Sequence, residues 1–352
     1  MVDDSALVRR LIATALSDAS DIEIVGTARD GLEAVDRVEE LHPDVVTLDI
    51  EMPRLDGLGA LERIRARHPR LPVIMFSTLT ERGAIATLDA LSRGASDYVT
   101  KPSNTGSVAE GLASVRDQLV PRIRALAGVR GPDRAAPPAR RTPEPPARRP
   151  RVAVAGSPQV LVVGCSTGGP DALATLLAQL PADLGVPVLV VQHMPPVFTT
   201  MLAQRLDRSS PFAVREAVDG DTPRAGEVLI APGDFHLRVA AVPGGVRVRL
   251  DQGPQENFCR PAVDVLFRSA AEVYGGRAVA AVLTGMGHDG LEGVRVLADH
   301  GARILVQDEA SSVVWGMPGA VALAGLADET VPLRALPGRL VAAVRGGALT
   351  AR

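Results

Sequence analysis

Three short polar segments in the second half of the chain hold residue types suited to acyl transfer. Ser166 lies in Gly164-Cys165-Ser166-Thr167-Gly168-Gly169. His193 lies in Gln192-His193-Met194-Pro195, and Asp289 in Thr284-Gly285-Met286-Gly287-His288-Asp289-Gly290. Each follows an apolar, β-branched run, at residues 160–163, 188–191 and 279–283. Such runs read as buried parallel strands. If all three are parallel, the loops leave the sheet at one edge. A hydroxyl, an imidazole and a carboxylate then converge although they are distant in sequence. Ser166 would attack a carbonyl, His193 would take its proton and pass it to the leaving group, and Asp289 would orient the imidazole. Glycines around Ser166 relieve clashes in a tight turn. The helix opening at Pro170 offers unpaired N–H groups to a developing oxyanion. The order Ser, His, Asp differs from that of α/β-hydrolases, so the triad is inferred from roles.

Other readings of these loops stay open at this level. A glycine-rich strand-to-helix turn can also cradle phosphate. It lacks the Gly-Lys-Ser/Thr ending of a P-loop, and a Rossmann fingerprint would want glycine where Ser166 stands. His236 and His288 compete with His193 as bases, and structural or rim roles are expected for both. Cys165 is the more nucleophilic neighbour of Ser166. Adjacent residues at a strand end point different ways, so Cys165 is expected to pack. A binding module in which the triad is idle is the rival to an enzyme.

The first half carries acids. Asp3 and Asp4 open the chain, Asp49 ends the run Val45-Val46-Thr47-Leu48, and Lys101 follows residues 97–100 and precedes Pro102. In an open parallel sheet, function collects at the carboxyl ends of the strands. Clustered carboxylates there suit Mg²⁺, which prefers oxygen ligands. Lys101 would face phosphoryl oxygens, and Ser77, ending another strand, would hydrogen-bond one. Lys101 is also the only lysine among the 38 basic residues, which marks a place where arginine does not serve.

These residues, with Met52-Pro53, Asp56-Gly57 and Tyr98, resemble a two-component receiver domain. The resemblance implies Asp49 as phosphoacceptor and Asp3 and Asp4 as its partners in holding Mg²⁺. It implies Ser77 and Tyr98 as switch residues and Lys101 as the phosphoryl-contacting base. In one respect the chain departs from a receiver. An apolar strand normally runs into the acidic pair, and here only Met1 and Val2 precede it. The expectation is that the natural chain starts earlier.

The loops of the second half, with Arg260-Pro261-Ala262-Val263-Asp264-Val265-Leu266-Phe267 and residues 308–318, resemble the CheB family of chemotaxis protein-glutamate methylesterases. Cys165 stands where alanine is usual, and Phe258-Cys259 where histidine is common. The family implies Ser166, His193 and Asp289 as triad, with backbone N–H groups at Met194 and Met286 as oxyanion candidates. It implies glutamate methyl esters on chemoreceptors as substrates, with deamidation of receptor glutamines as a second activity. A chemotaxis histidine kinase is the implied phosphodonor. Phosphorylation would shift a two-state docking equilibrium between the domains and uncover Ser166. Mg²⁺ belongs to the receiver, and no cofactor is expected for hydrolysis.

The elements that must position these groups alternate as in an α/β protein. Strands are expected at 22–28, 45–49, 73–77 and 97–100, and helices at 6–16, 32–41, 58–67, 85–93 and 108–126. After them comes Pro132–Pro150, dense in Pro, Arg and Ala and without apolar periodicity, which reads as an extended tether. Beyond it, strands at 160–163, 188–191, 279–283 and 304–306 alternate with helices at 172–180, 263–273 and 291–298. Shorter strands with Gly/Pro turns fill 214–250. The fold expected is two doubly wound parallel-sheet domains, the first flavodoxin-like. Their limits are 1–120 for the receiver, 121–157 for the helix end and linker, and 158–347 for the catalytic domain.

Bulk properties fit this reading. At about 150 residues per domain, 352 residues suggest two. A net charge of -3 gives no pull toward nucleic acid or anionic membrane. No basic-then-apolar leader and no apolar run of about 18 residues is visible, so a cytoplasmic protein without membrane insertion is expected. Two cysteines make neither a disulfide framework nor a metal cluster.

Overall fold

A computed structural model describes residues 1–102, 107–128 and 156–346. The chain divides into two units, Met1–Ala139 and Arg140–Arg352. The tether expected at 132–150 lies outside the described residues.

In the first unit, β1 (Val46–Asp49), β2 (Val73–Ser77) and β3 (Asp97–Thr100) form a parallel sheet in that order. Helices α1 (Ala6–Leu16), α2 (Gly31–Leu41), α3 (Gly57–Arg67), α4 (Glu81–Ser92) and α5 (Val108–Leu126) surround it. The strands are apolar because both faces are covered. Ile74, Phe76 and Val99 are fully buried against Ile12 and Leu16 of α1 and Val115 and Leu119 of α5. Each helix start is fixed by a side-chain cap. Asp30, Asp56 and Thr80 accept backbone N–H groups at α2, α3 and α4, and Ser107 and Glu110 form a reciprocal box at α5. The Thr80 cap starts α4 at Glu81, four residues before the expected 85.

The strand expected at 22–28 does not form. Among the described residues, the neighbour on its inner side is Val2, which bridges Ala28 on one side and Leu48 on the other. Backbone pairing is therefore confined to its end, through Asp3 N–H to Ala28, Ala28 N–H to Met1 and the Met1 amine to Gly26. A β-prone run without a paired neighbour does not register as a strand.

The second unit contains β4 (Val160–Cys165), β5 (Val188–Gln192), β6 (Ala213–Glu216), β7 (Glu227–Ile230), β8 (His236–Val242), β9 (Gly245–Asp251), β10 (Ala278–Val282), β11 (Arg303–Gln307) and β12 (Glu329–Val331). Its helices are α6 (Gly169–Gln179), α7 (Phe198–Ser209), α8 (Val263–Tyr274), α9 (Leu291–Asp299), α10 (Met317–Leu323) and α11 (Leu336–Val344). Seven strands make one parallel sheet in the order β12-β11-β10-β4-β5-β7-β6, and β8 and β9 pair as a separate antiparallel hairpin. Every residue of β4, β5 and β10 is buried, as strands covered on both faces require. From β4 the chain builds outward on one side through β5. It then returns to place β10 against the other side of β4. This reversal is the topological switch point where open α/β sheets carry their sites.

Candidate active site and phosphoacceptor pocket

The switch point brings the three loops of the second unit together. The Ser166 N–H donates to the Thr284 carbonyl at 3.0 Å, which ties the turn after β4 to the loop after β10. Gln192 Nε2 donates to the Ser166 carbonyl at 2.9 Å, and the His193 N–H to the Cys165 carbonyl at 3.1 Å, which tie it to the loop after β5. The turn demands glycine. Gly168 has φ +76°, and a Cβ there would stand 2.6 Å from Val313. Gly285 lies so close that a Cβ on it would be 2.9 Å from the Ser166 Cβ. Ser166 is half-buried at this edge, just before α6.

His193 and Asp289 meet directly, with His193 Nε2 2.7 Å from Asp289 Oδ2. This ring orientation is the reverse of the template in which Nδ1 faces the acid. Asp289 is held on both oxygens. Oδ2 also accepts the Val263 N–H at 2.6 Å. Oδ1 accepts from Asn257 Nδ2 at 2.9 Å, the Gly290 N–H at 3.0 Å and the Asp264 N–H at 3.1 Å. Burial alone would raise the Asp289 pKa. His193 and the backbone donors outweigh burial and hold it well below the usual carboxylate range. Burial likewise opposes charge on His193, but Cys259 and Asp289 raise its proton affinity above that of an ordinary imidazole.

The remaining expected residues fall as follows. Met194 is buried, and Met286 is half-buried between Gly285 and Gly287. His288 is exposed. His236 is buried, with Nε2 2.9 Å from the Pro254 carbonyl and Nδ1 accepting the Ala262 N–H at 3.3 Å, so both ring nitrogens are occupied in packing. Cys165 is fully buried, which pushes its thiol pKa up, and its Sγ faces the Val191 carbonyl. Sequence reasoning missed two neighbours of the relay. Cys259 Sγ lies 3.5 Å from His193 Nδ1, and Asn257 bonds both Asp289 and Asp264. One signal was present for the latter: Asp264 is an acid in the first turn of a helix that is otherwise apolar there.

The first unit assembles the acidic pocket. Asp49 ends β1, and Lys101 Nζ lies 2.8 Å from Asp49 Oδ2 and 3.0 Å from Asp3 Oδ2. Burial pushes the Asp49 pKa up to about 6; Lys101 opposes this and the Asp3 charge adds to it. Lys101 stays above its ordinary value because Asp49 and Asp3 outweigh its burial. Asp3, Asp4 and Asp49 each offer an oxygen within 4.8 Å of the others, and Asp4 is exposed at the mouth. An all-oxygen, open-mouthed set of this kind fits Mg²⁺. Ser77 ends β2 with its Oγ donating to the Gly83 carbonyl at 3.1 Å, so its hydroxyl is engaged with α4. Tyr98 is buried in β3, which raises its phenol pKa.

An acid pocket with a lysine and, on the same chain, a His193–Asp289 pair tied through its loops to the Ser166 turn are features of the class of switchable hydrolases. Comparison with known proteins narrows that class. Residues 161–340 match the CheB methylesterase family, and residues 1–112 match the response regulator receiver domain. The chain belongs to the CheB methylesterase family. It is 53% identical over 335 residues to a protein-glutamate methylesterase/protein-glutamine glutaminase of Nocardioides sp., covering 95% of this chain and 91% of that one. A protein of the same name from Trichodesmium erythraeum is 46% identical, with 97% of each chain covered. The crystal structure of the Thermotoga maritima CheB methylesterase catalytic domain is 43% identical, with a TM-score of 0.52, and spans 53% of this chain and 98% of that one. Among the described residues, no helix is long and apolar enough to cross a membrane.

Proposed function

We propose that this chain is a phosphorylation-activated protein-glutamate methylesterase, with Ser166, His193 and Asp289 as its catalytic triad. The observation that carries the reading is the His193–Asp289 bond at the same sheet edge that holds Ser166. Ser166 Oγ attacks the carbonyl of a glutamate methyl ester on a chemoreceptor. His193 Nε2 is committed to Asp289, so Nδ1 takes the serine proton and returns it to departing methanol. Water then attacks the acyl carbon and gives a proton to the same nitrogen, which passes it to Ser166 Oγ as the C–Oγ bond breaks and the glutamate carboxylate leaves. Asp289, locked by five donors, fixes the ring and stabilises its charged form. N–H groups of Met194 and Met286 serve the oxyanion. An amide presented to the same site loses ammonia by the same steps, which gives the glutaminase activity.

The receiver supplies the switch. Asp49 accepts the phosphoryl group from a chemotaxis histidine kinase. Asp3, Asp4 and Asp49 would hold Mg²⁺, which would neutralise phosphoryl charge there. Lys101 meets the phosphoryl oxygens once phosphorylation draws it from Asp3. Ser77 leaves Gly83 to bond the phosphoryl group, and Tyr98 follows as a buried switch residue. The limits proposed are 1–120 for the receiver, 121–157 for the helix end and linker, and 158–347 for the hydrolase. We place the enzyme in the cytoplasm, where receptor tails and kinase meet it.

The test is methanol release from methylated receptor, with and without a small-molecule phosphodonor and Mg²⁺. Ser166→Ala is expected to abolish release, and Asp49→Asn to abolish its stimulation. Full stimulation in Asp49→Asn would refute the switch. A rival reading, an idle binding module, predicts no serine-directed fluorophosphonate labelling of the wild type.

A further inference from the structure

Behind the His193–Asp289 pair lies a second buried acid. Asp264, in the first turn of α8, is 3% exposed. Its Oδ1 accepts the Gly293 N–H of α9 at 2.7 Å, and its Oδ2 accepts from Asn257 Nδ2 at 3.0 Å. The same nitrogen donates to Asp289 Oδ1 at 2.9 Å. A side-chain amide carries two N–H groups in one plane, so it can give one to each carboxylate. Two buried carboxylates this close repel unless a donor stands between them.

The segment that carries Asn257 is held in place. Asn257 has φ +52°, in the left-handed region that asparagine tolerates better than most residues. It sits inside a small antiparallel bridge between Glu256 and Cys259. Glu256 is paired with Arg268 of α8 at 2.6 Å. The other end of the bridge places Cys259 Sγ 3.5 Å from His193 Nδ1. One four-residue turn thus touches both members of the relay.

We propose that Asn257 is a positioning residue for hydrolysis, whose amide clamps Asp264 and Asp289 as a carboxylate pair and, by holding Asp289 Oδ1, keeps Oδ2 turned toward His193. This rests on the reading of Ser166, His193 and Asp289 as the triad. The clamp does two things. It takes one oxygen of Asp289, so the carboxylate cannot rotate away from the imidazole. It also lets the second acid remain charged behind the first, which strengthens the field on His193. Burial, with the Asp289 charge adding to it, pushes Asp264 up to about 6, while the Gly293 N–H and Asn257 draw it down. The charged groups around the pair are His193 from the loop after β5, Arg268 from α8 and, through Arg268, Glu256. Asn257 is the side chain that bridges the two acids.

The test uses the full chain and a methyl-esterified glutamate peptide, with kcat and KM measured from pH 6 to 9. Asn257→Ala is expected to lower kcat about tenfold, with KM within about twofold. Asn257→Asp keeps the shape but replaces donors with acceptors. It is expected to lower kcat about a hundredfold at pH 8 and to recover toward wild type as pH falls to 6, where a proton can again bridge the acids. A merely structural role would give losses of equal size in both variants, independent of pH and matched by loss of folded protein in circular dichroism. That result, or kcat within twofold of wild type in both variants, overturns the proposal. Ser166→Ala run alongside separates the two readings, because turnover surviving in it overturns the triad itself, whatever Asn257 does.

Discussion

Two buried aspartates, Asp49 and Asp289, end or follow strands at the carboxyl edge of a parallel sheet, yet their environments drive them in opposite directions. Asp49 is pushed up to about 6 because burial and the Asp3 charge outweigh Lys101. Asp289 is held low because five donors surround it. The donor counts fit the roles proposed for the two acids. An acid that must attack phosphorus needs lone pairs left free. An acid that must steady an imidazole needs every lone pair fixed. Burial is common to both pockets, so burial does not tell nucleophile from support; the hydrogen-bond inventory does.

Substitution of each aspartate by asparagine is the strongest way to break this contrast. Asp289→Asn keeps the shape but removes the charge that orders His193. It is expected to cut kcat by roughly 1,000- to 10,000-fold, measured by methanol release, while phosphoryl incorporation at Asp49 is retained. Loss of less than tenfold would place Asp289 outside the relay.

Stability against pH sharpens the contrast. Asp289 is depressed in the fold, so its stabilisation is present above the unfolded carboxylate value and is lost as pH falls through the folded one. Asp49 is raised, so the fold binds its proton more tightly, and stability drops as pH rises from about 4 to about 6. Without divalent cation, Asp49→Asn is expected to stabilise the receiver unit at pH 7 by about 1–2 kcal/mol, after allowance for solvent at the pocket mouth. Asp289→Asn is expected to destabilise the hydrolase unit. Denaturant titrations of the full chain at pH 4 and pH 7 read both, and two shifts of the same sign would end the comparison.

A smaller effect concerns the base. The raised proton affinity of His193 means that kcat/KM keeps climbing above neutral pH, where an ordinary imidazole, near 6.5, has already levelled off. A plateau complete by pH 7 would show that Asp289 and Cys259 do not act on the ring as described. Smallest of all is Cys165→Ala. The thiol is buried away from the relay, so turnover is expected within about threefold of wild type, and inactivation would assign Cys165 a chemical role.

Much of this was legible in the sequence because parallel strands covered on both faces are written as short apolar runs. Residues 73–77 and 97–100 match β2 and β3 to the residue, and the three polar loops after β4, β5 and β10 share one edge as the runs implied. Residues 22–28 were not legible in this way. Their β-prone pattern is real, but strand formation depends on a partner, and among the described residues only Val2 bridges Ala28. The start of α4 was hidden because Glu81-Arg82-Gly83 carries no apolar periodicity, and the Thr80 cap decides it. Asn257 and Asp264 were missed because a hydrogen-bond bridge between α8 and a left-handed turn leaves no periodic trace. Only the oddity of an acid in an apolar helix start hinted at it.

The central claim is a covalent one and can be tested covalently. Rapid acid quench of the enzyme during turnover of a glutamate methyl-ester peptide, followed by peptide mass analysis, should find the acyl group on Ser166 in the wild type and no acyl group in Ser166→Ala. An acyl group on Cys259 instead, or full turnover by Ser166→Ala, would contradict the account.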